Sequence, residues 1–217
     1  DDLLVQLNQE YSDYFWTPRI NFAGLLDVPD ENGETLDQSP VFVVGMDIFS
    51  PHSRQIEIWE LERKLLKGDL PQKANEVLLS NRLSKRLNLN PGEVVTFIGS
   101  TMHGAFTTFN FKVVGIFSLN MGPVDKEMML LDISGARLAL DMENAASEIL
   151  GYSHSLYFED PATVDLREEY NISHGDSTDI FSPMMLALRD SNQMGTMVDM
   201  NNAIMSIILS VFMIIVM

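Results

Sequence analysis

The stretch Glu76-Val-Leu-Leu-Ser-Asn-Arg-Leu-Ser-Lys-Arg-Leu-Asn-Leu-Asn-Pro-Gly92 contains three local signals in seventeen residues. Glu76 to Leu79 reads as a short strand. Ser80 or Asn81 is placed to cap a helix, because its side-chain oxygen can accept from an otherwise unpaired N–H of the first turn. Leu83 and Leu87 then lie one turn apart on a single face. Asn90-Pro91-Gly92 turns the chain into a hairpin. Its first arm is Glu93 to Ile98. In the second arm Phe109, Phe111, Val113 and Phe117 alternate with Asn110, Lys112 and Ile116. That period of two is the clearest strand signal in the chain. Strand–helix units beside a hairpin imply an α+β fold with a mixed sheet.

Downstream the order recurs. Met128 to Leu131 reads as a strand, Asp132 or Ser134 as a cap, and Ala136 to Met142 as a helix. Glu76-Val-Leu-Leu and Glu127-Met-Met-Leu-Leu echo each other, although short βα units also look alike by chance. Upstream, Leu4, Leu7, Tyr11, Tyr14 and Phe15 form a helical stripe over residues 3–15, which Thr17-Pro18 should end. Strands are expected at Ile20 to Val28 and Val41 to Ile48, separated by the polar turn Pro29 to Gly33. Ile58, Leu61 and Leu65 predict a helix over 54–67, stopped by Gly68. Past the second unit, Ser155 to Glu159 reads as a strand and Asp160-Pro161 as a helix start. His174 to Asp179 reads as a loop. Ser182-Pro183 repeats the start signal, and an unbroken helix from Pro183 to Met217 would be ~50 Å long.

The end of the chain suggests a membrane. Residues 203–217, AIMSIILSVFMIIVM, carry no charge. They read as part of a spanning helix, which needs ~20 apolar residues. The preceding stretch Arg189 to Asn202 has one Arg, two Asp and no Lys, so it is expected outside the cytoplasm. Over 217 residues, 14 Lys and Arg against 31 Asp and Glu give a formal net charge of −17. Such a chain is repelled by phosphate backbones, and nucleic acid is excluded as a partner. The absence of cysteine removes disulfides, thiol nucleophiles and thiolate metal sites together.

Motifs for catalysis are missing. His52, His103, His154 and His174 lie tens of residues apart, without the spacing of a metal-binding helix. There is no nucleophile elbow, phosphate-binding lysine loop or dinucleotide fingerprint. Asp132, Asp176 and Asp179 read as caps and loop residues rather than an acid pair. Met184, Met185, Met194, Met197, Met200 and Met205 fit helix packing and lipid contact better than copper. We therefore expect no enzyme activity, cofactor or metal.

The segment 76–92, the strand Phe111-Lys-Val-Val-Gly-Ile-Phe117, and Val124-Asp125 followed by Met128 to Leu131 together resemble one family. It is the periplasmic core domain of MacB-like, lipoprotein-releasing (Lol-type) and FtsX-like ABC transporter permeases. The resemblance implies a layout: a stalk helix at 1–16 after a first span, a periplasmic core at 17–182, a stalk helix at 183–202 and a second span from 203. It implies residence in a bacterial inner membrane with the core on the periplasmic side. A cytoplasmic ATPase and a second permease copy are the implied partners, with lipoprotein, lipid or a periplasmic carrier as further ones. Lipoprotein-releasing members recruit a carrier through a proline-bearing loop. The matching hairpin tip here, Gly99 to Phe106, is short and lacks proline, but it still makes Met102, His103 and Phe106 the candidate partner-binding residues. The alternative is a membrane-anchored extracytoplasmic sensor or interaction module without a transport role.

Overall fold

In the computed structural model the described residues are 2–120, 122, 126–153, 160–175, 178, 182–190, 195–196, 199–200 and 203–206. The chain divides into two compact units, Asp1–His154 and Ser155–Met217. The first is α+β and holds the sheet. Strand β1 (Tyr14–Pro29) follows helix α1 (Asp2–Glu10) and runs antiparallel to β2 (Thr35–Met46). Two single turns, α2 (Gln55–Ile58) and α3 (Leu61–Lys64), lead into the short β3 (Leu65–Gly68). Then come β4 (Glu76–Ser80), α4 (Asn81–Arg86), the hairpin β5 (Val94–Ser100) and β6 (Phe106–Phe117), and β7 (Met128–Asp132). Helix α5 (Ile133–Leu140) and β8 (Glu148–Ser153) complete the unit.

The strand order is β2-β7-β4-β6-β5-β1-β8, and β1 also pairs with β2, so six strands close on themselves. The β2–β7 and β4–β6 pairs are parallel and the other pairings antiparallel. Alternation divides the strand residues between two cores. Val77, Leu79, Met129 and Leu131 join Leu83 and Leu87 of the α4 segment and Ala136 of α5 in the first. Leu78, Met128 and Leu130 join Val44, Met46, Phe117 and Leu61 of α3 in the second. Strands buried on both faces read as continuous apolar runs, as 77–79 and 128–131 do.

The βα units follow their cap chemistry. Ser80 is the N-cap of α4, and its hydroxyl accepts from the Leu83 N–H. Asp132, almost fully buried, caps α5 by accepting from the Ser134 N–H at 2.9 Å. Its second oxygen accepts from the N–H groups of Ile48 and Phe49 at 2.8 and 3.1 Å, tying the end of β2 to the start of α5.

Several expectations are corrected. The helix over 3–15 stops at Glu10, and Tyr14 and Phe15 open β1. Pro18 lies within that strand rather than ending a helix. Ser147 N–H donates to the Arg19 carbonyl and Asn21 N–H donates to Ser147 Oγ, so odd-numbered backbone groups here face β8. The Pro18 nitrogen faces the other way, where pairing with β2 begins only at Arg19, so no ladder bond is lost. The helix over 54–67 breaks at Glu60, which adopts φ 51°. From Leu65 the chain is extended and pairs with β6, with Leu65 opposite Phe117 and Gly68 opposite Gly115. Tertiary pairing overrides the helical spacing of Ile58, Leu61 and Leu65. The second strand ends at Met46, not Ile48, and begins earlier, at Thr35. Helix α5 runs from Ile133 to Leu140 rather than over 136–142. Strand β8 was not foreseen, and the expected strand at 155–159 lies outside the described residues.

The second unit holds α6 (Asp160–His174) and a 3-10 turn at Leu188–Asp190. The helix expected to start at Pro183 does not begin there, because residues 183–187 carry no helix. The Asn171 amide takes both backbone groups of Met185: it donates to the carbonyl and accepts from the N–H, each at 2.9 Å. Met185 thus loses the groups a helix would need. Residues 203–206 are helical. No helix among the described residues is long and apolar enough to cross a membrane.

Candidate functional site

The three candidate residues sit together on the β5–β6 hairpin tip. Thr101 N–H donates to the Ala105 carbonyl at 2.7 Å, and Gly104 N–H donates to the Thr101 carbonyl at 3.0 Å. Ala105 N–H also donates to Thr101 Oγ1. Gly104 takes φ 78°, a left-handed conformation in which a side chain would be strained. Phe106 is the first residue of β6, opposite Ser100. Met102 is 52% exposed and Phe106 75%, and His103 is exposed between them. The tip presents one thioether, one imidazole and one phenyl ring to solvent.

Two hydrogen bonds, one from the backbone and one from a side chain, hold the tip in place. Helix α5 ends at Asp141, whose φ of 55° turns the chain out of the helix, and Met142 N–H donates to the Arg137 carbonyl. The carbonyls of Ala139 and Leu140 face the hairpin. Thr107 Oγ1 donates to Ala139 at 3.0 Å, and Met102 N–H donates to Leu140 at 3.0 Å. The orphan acceptors of a helix end thus become the anchor of an exposed loop. Sequence reasoning found the tip but missed this platform. The only available signal was that α5 ends near its own cap, with nothing to say which distant donors reach it.

The other singled-out residues fall elsewhere. His52 lies in the loop before α2, and His174 ends α6 stacked on Tyr170 with ring centroids 4.6 Å apart. His154, Asp176 and Asp179 lie outside the described residues, among which no group of three or more His, Cys, Asp or Glu is placed to hold a metal. Asp47 neighbours Asp132, and its carboxyl is pushed above the usual range by burial, opposed by the Ser50 N–H, with the Asp132 charge adding to the rise.

The second unit has a groove of about 420 Å³ lined by Arg167, Asn171, Ile172, Met184, Leu186 and Asp190, among others. Arg167 forks onto Asp190 at 2.7 and 2.8 Å and holds its carboxyl below the usual range, helped by the Ala187 N–H. Among the groove's described lining residues the charged groups Arg167, Glu168 and Asp190 are paired with one another.

No known protein family and no curated protein matches the chain by sequence. Solved structures do match. The periplasmic region of MacB from Actinobacillus actinomycetemcomitans aligns with a TM-score of 0.53 at 17% identity, over 80% of this chain and 73% of that one. The extracellular domain of the noncanonic ABC-type transporter YknZ from Gram-positive bacteria aligns with a TM-score of 0.54 at 11% identity, over 82% and 84%. In fold, this chain is similar to the periplasmic and extracellular domains of ABC-type permeases, as the sequence pattern of 76–92, 111–117 and 124–131 implied.

Proposed function

We propose that the chain is the extracytoplasmic part of an ABC transporter permease subunit of the lipoprotein-release or efflux type. In this reading it carries motion from a cytoplasmic ATPase to substrate handling outside the inner membrane, and catalyses nothing itself. The observation that carries the reading is the closed mixed sheet with its β5–β6 hairpin, a fold similar to MacB and YknZ over four-fifths of the chain. The apolar run at 203–217 supports a membrane beside it. Partners are an ATPase subunit or domain and a second permease copy. The exposed tip, Met102, His103 and Phe106, is the contact surface for a lipoprotein, a lipid or a carrier. A loop anchored by hydrogen bonds to a helix end can move with the core instead of flexing against it.

The test is to purify the full-length protein containing this chain from its membrane in detergent and identify what accompanies it. An ATP-hydrolysing subunit or fused domain in stoichiometric amount is expected. A membrane protein with neither would sink the transport reading and leave an anchored sensor or interaction module.

A further inference from the structure

The sheet register leaves one apolar face of the first unit uncovered. Ala23 stands opposite Phe42, and Leu25 opposite Pro40, across β1 and β2. Leu25 also stands opposite Ile98 of β5, and Phe106 lies two residues from Thr108, the partner of Ile98 on β6. Residues opposite or two apart share a face, so these six form one strip over four adjacent strands. Their chain neighbours Leu26, Val41, Val43 and Phe97 point the other way, into the first core. Leu25 is 40% exposed and Phe42 43%; Ala23, Pro40 and Phe106 are exposed and Ile98 is half-buried. None of the six is charged. The strip also continues a covered surface. Val44 and Met46 follow Phe42 on the same face of β2 and belong to the second core with Leu61 of α3, and Ile56 of α2 packs against it. Helical turns therefore cover this face as far as Val44 and stop short of Phe42.

We propose that the strip is a docking surface for an amphipathic helix of a partner protein, with Lys or Arg flanking the apolar stripe of that helix. Helical turns already cover the adjoining part of this face, and a sheet buries an apolar face against another element. The size agrees. Four strands at the usual spacing put about 14 Å between β2 and β6, which a helix crosses in about ten residues. Charge selects among partners. Asp27 follows Leu25 on this face, Arg19 at the opposite margin is paired with Glu148 at 3.8 Å, and Lys112 stands two rows beyond Ile98. Over the whole chain the formal net charge is −17. A second copy and an anionic lipid surface are both repelled by it, whereas a basic helix is attracted. This surface follows from the sheet register and is independent of the transport reading.

The test uses the full-length protein containing this chain in nanodiscs of phosphatidylcholine, with empty discs as the blank. The probes are designed helical peptides of about 18 residues, or five turns. One has a Leu stripe flanked by Lys, one the same stripe flanked by Glu, and one Lys flanks with Ser in place of Leu. The first should bind, and the other two at least about tenfold more weakly. Leu25→Ser removes an apolar contact and Ala23→Lys places a cation under the helix; each should weaken binding of the first peptide about tenfold. Both positions are exposed, so both variants should melt with the wild type. Leu138→Ser, at an exposed position of α5 outside the strip, should leave the affinity unchanged. Failure of the Leu–Lys peptide to bind overturns the proposal. So does binding that both strip variants leave intact, which is charge attraction alone. Equal binding of the Glu-flanked peptide overturns the choice of a basic partner. A lower oligomeric state of the protein itself in both strip variants overturns it in favour of a second copy.

Discussion

Phe111 and Lys112 are adjacent, yet their environments are opposite. Phe111 is fully buried in the first core, 4.8 Å from the Phe109 ring by centroids, while Lys112 is exposed. Replacing Phe111 with Ala should cost about 3–5 kcal/mol, the usual penalty for deleting a buried aromatic. Lys112→Ala should stay within about 0.5 kcal/mol. Equal denaturation midpoints for the two variants would contradict the assigned register. Asp47 gives a prediction with a sign. Its folded pKa is raised above 3.8, so between that value and the raised one the native state keeps a proton the unfolded chain has lost. Its contribution to stability therefore falls as pH rises through this window and stays low above it. Asp47→Asn keeps the acceptor for the Ser50 N–H and removes the charge. The variant should melt above the wild type at pH 7, and the gap should close as pH falls below the ordinary carboxylate value. A gap independent of pH would show that charge is not the cause. Phe111 was legible because its period is local. Asp47 was not, because its neighbour Asp132 is 85 residues away in the chain.

Elements were legible where cap and period agreed. Strand β4, the Ser80 cap and α4 follow from residues within ten positions of one another, and Ser80→Ala should cost ~1 kcal/mol by removing the acceptor for the Leu83 N–H. Chemical denaturation of that single variant checks it. Elements were misread where a distant partner decided. Leu65 fits a helix by spacing, but β6 offers it a ladder. Strand β8 is half-exposed and carries little pattern, so only its pairing with Tyr14 to Arg19 defines it. The candidate site divides the same way. The turn at Gly104 was readable, whereas its attachment to α5 joins residues 38 positions apart, Met102 and Leu140. Hydrogen exchange tests that attachment. The Met102 amide should be protected although its side chain is exposed, and Thr107→Val should raise its exchange rate by releasing the neighbouring bond to Ala139. Rapid exchange at Met102 in the unaltered chain would mean a tip free of the helix.

At the scale of the molecule, closure is the main result. Strand β1 pairs with β2 along most of its length, with β5 at Leu25 to Asp27 and with β8 at Tyr14 to Arg19. One strand thus links the segment after α1 to the middle of β5 in the β5–β6 hairpin. No window of sequence could reveal this, because ring closure depends on pairings between strands far apart in the chain. The apolar run at 203–217 was readable from composition alone, yet 207–217 lie outside the described residues, and the long helix expected from Pro183 gives way at Met185 to the Asn171 clamp. If the domain relays ATPase motion, its hairpin tips must move when nucleotide binds. The direct measurement places a spin label at His103→Cys in the otherwise cysteine-free domain, in full-length protein assembled with its ATPase in a membrane. The distance distribution between the tips of the two copies is then recorded without nucleotide and with ATP under non-hydrolysing conditions. A shift between two distinct distributions is expected. Identical distributions in an assembly that binds ATP would contradict the relay.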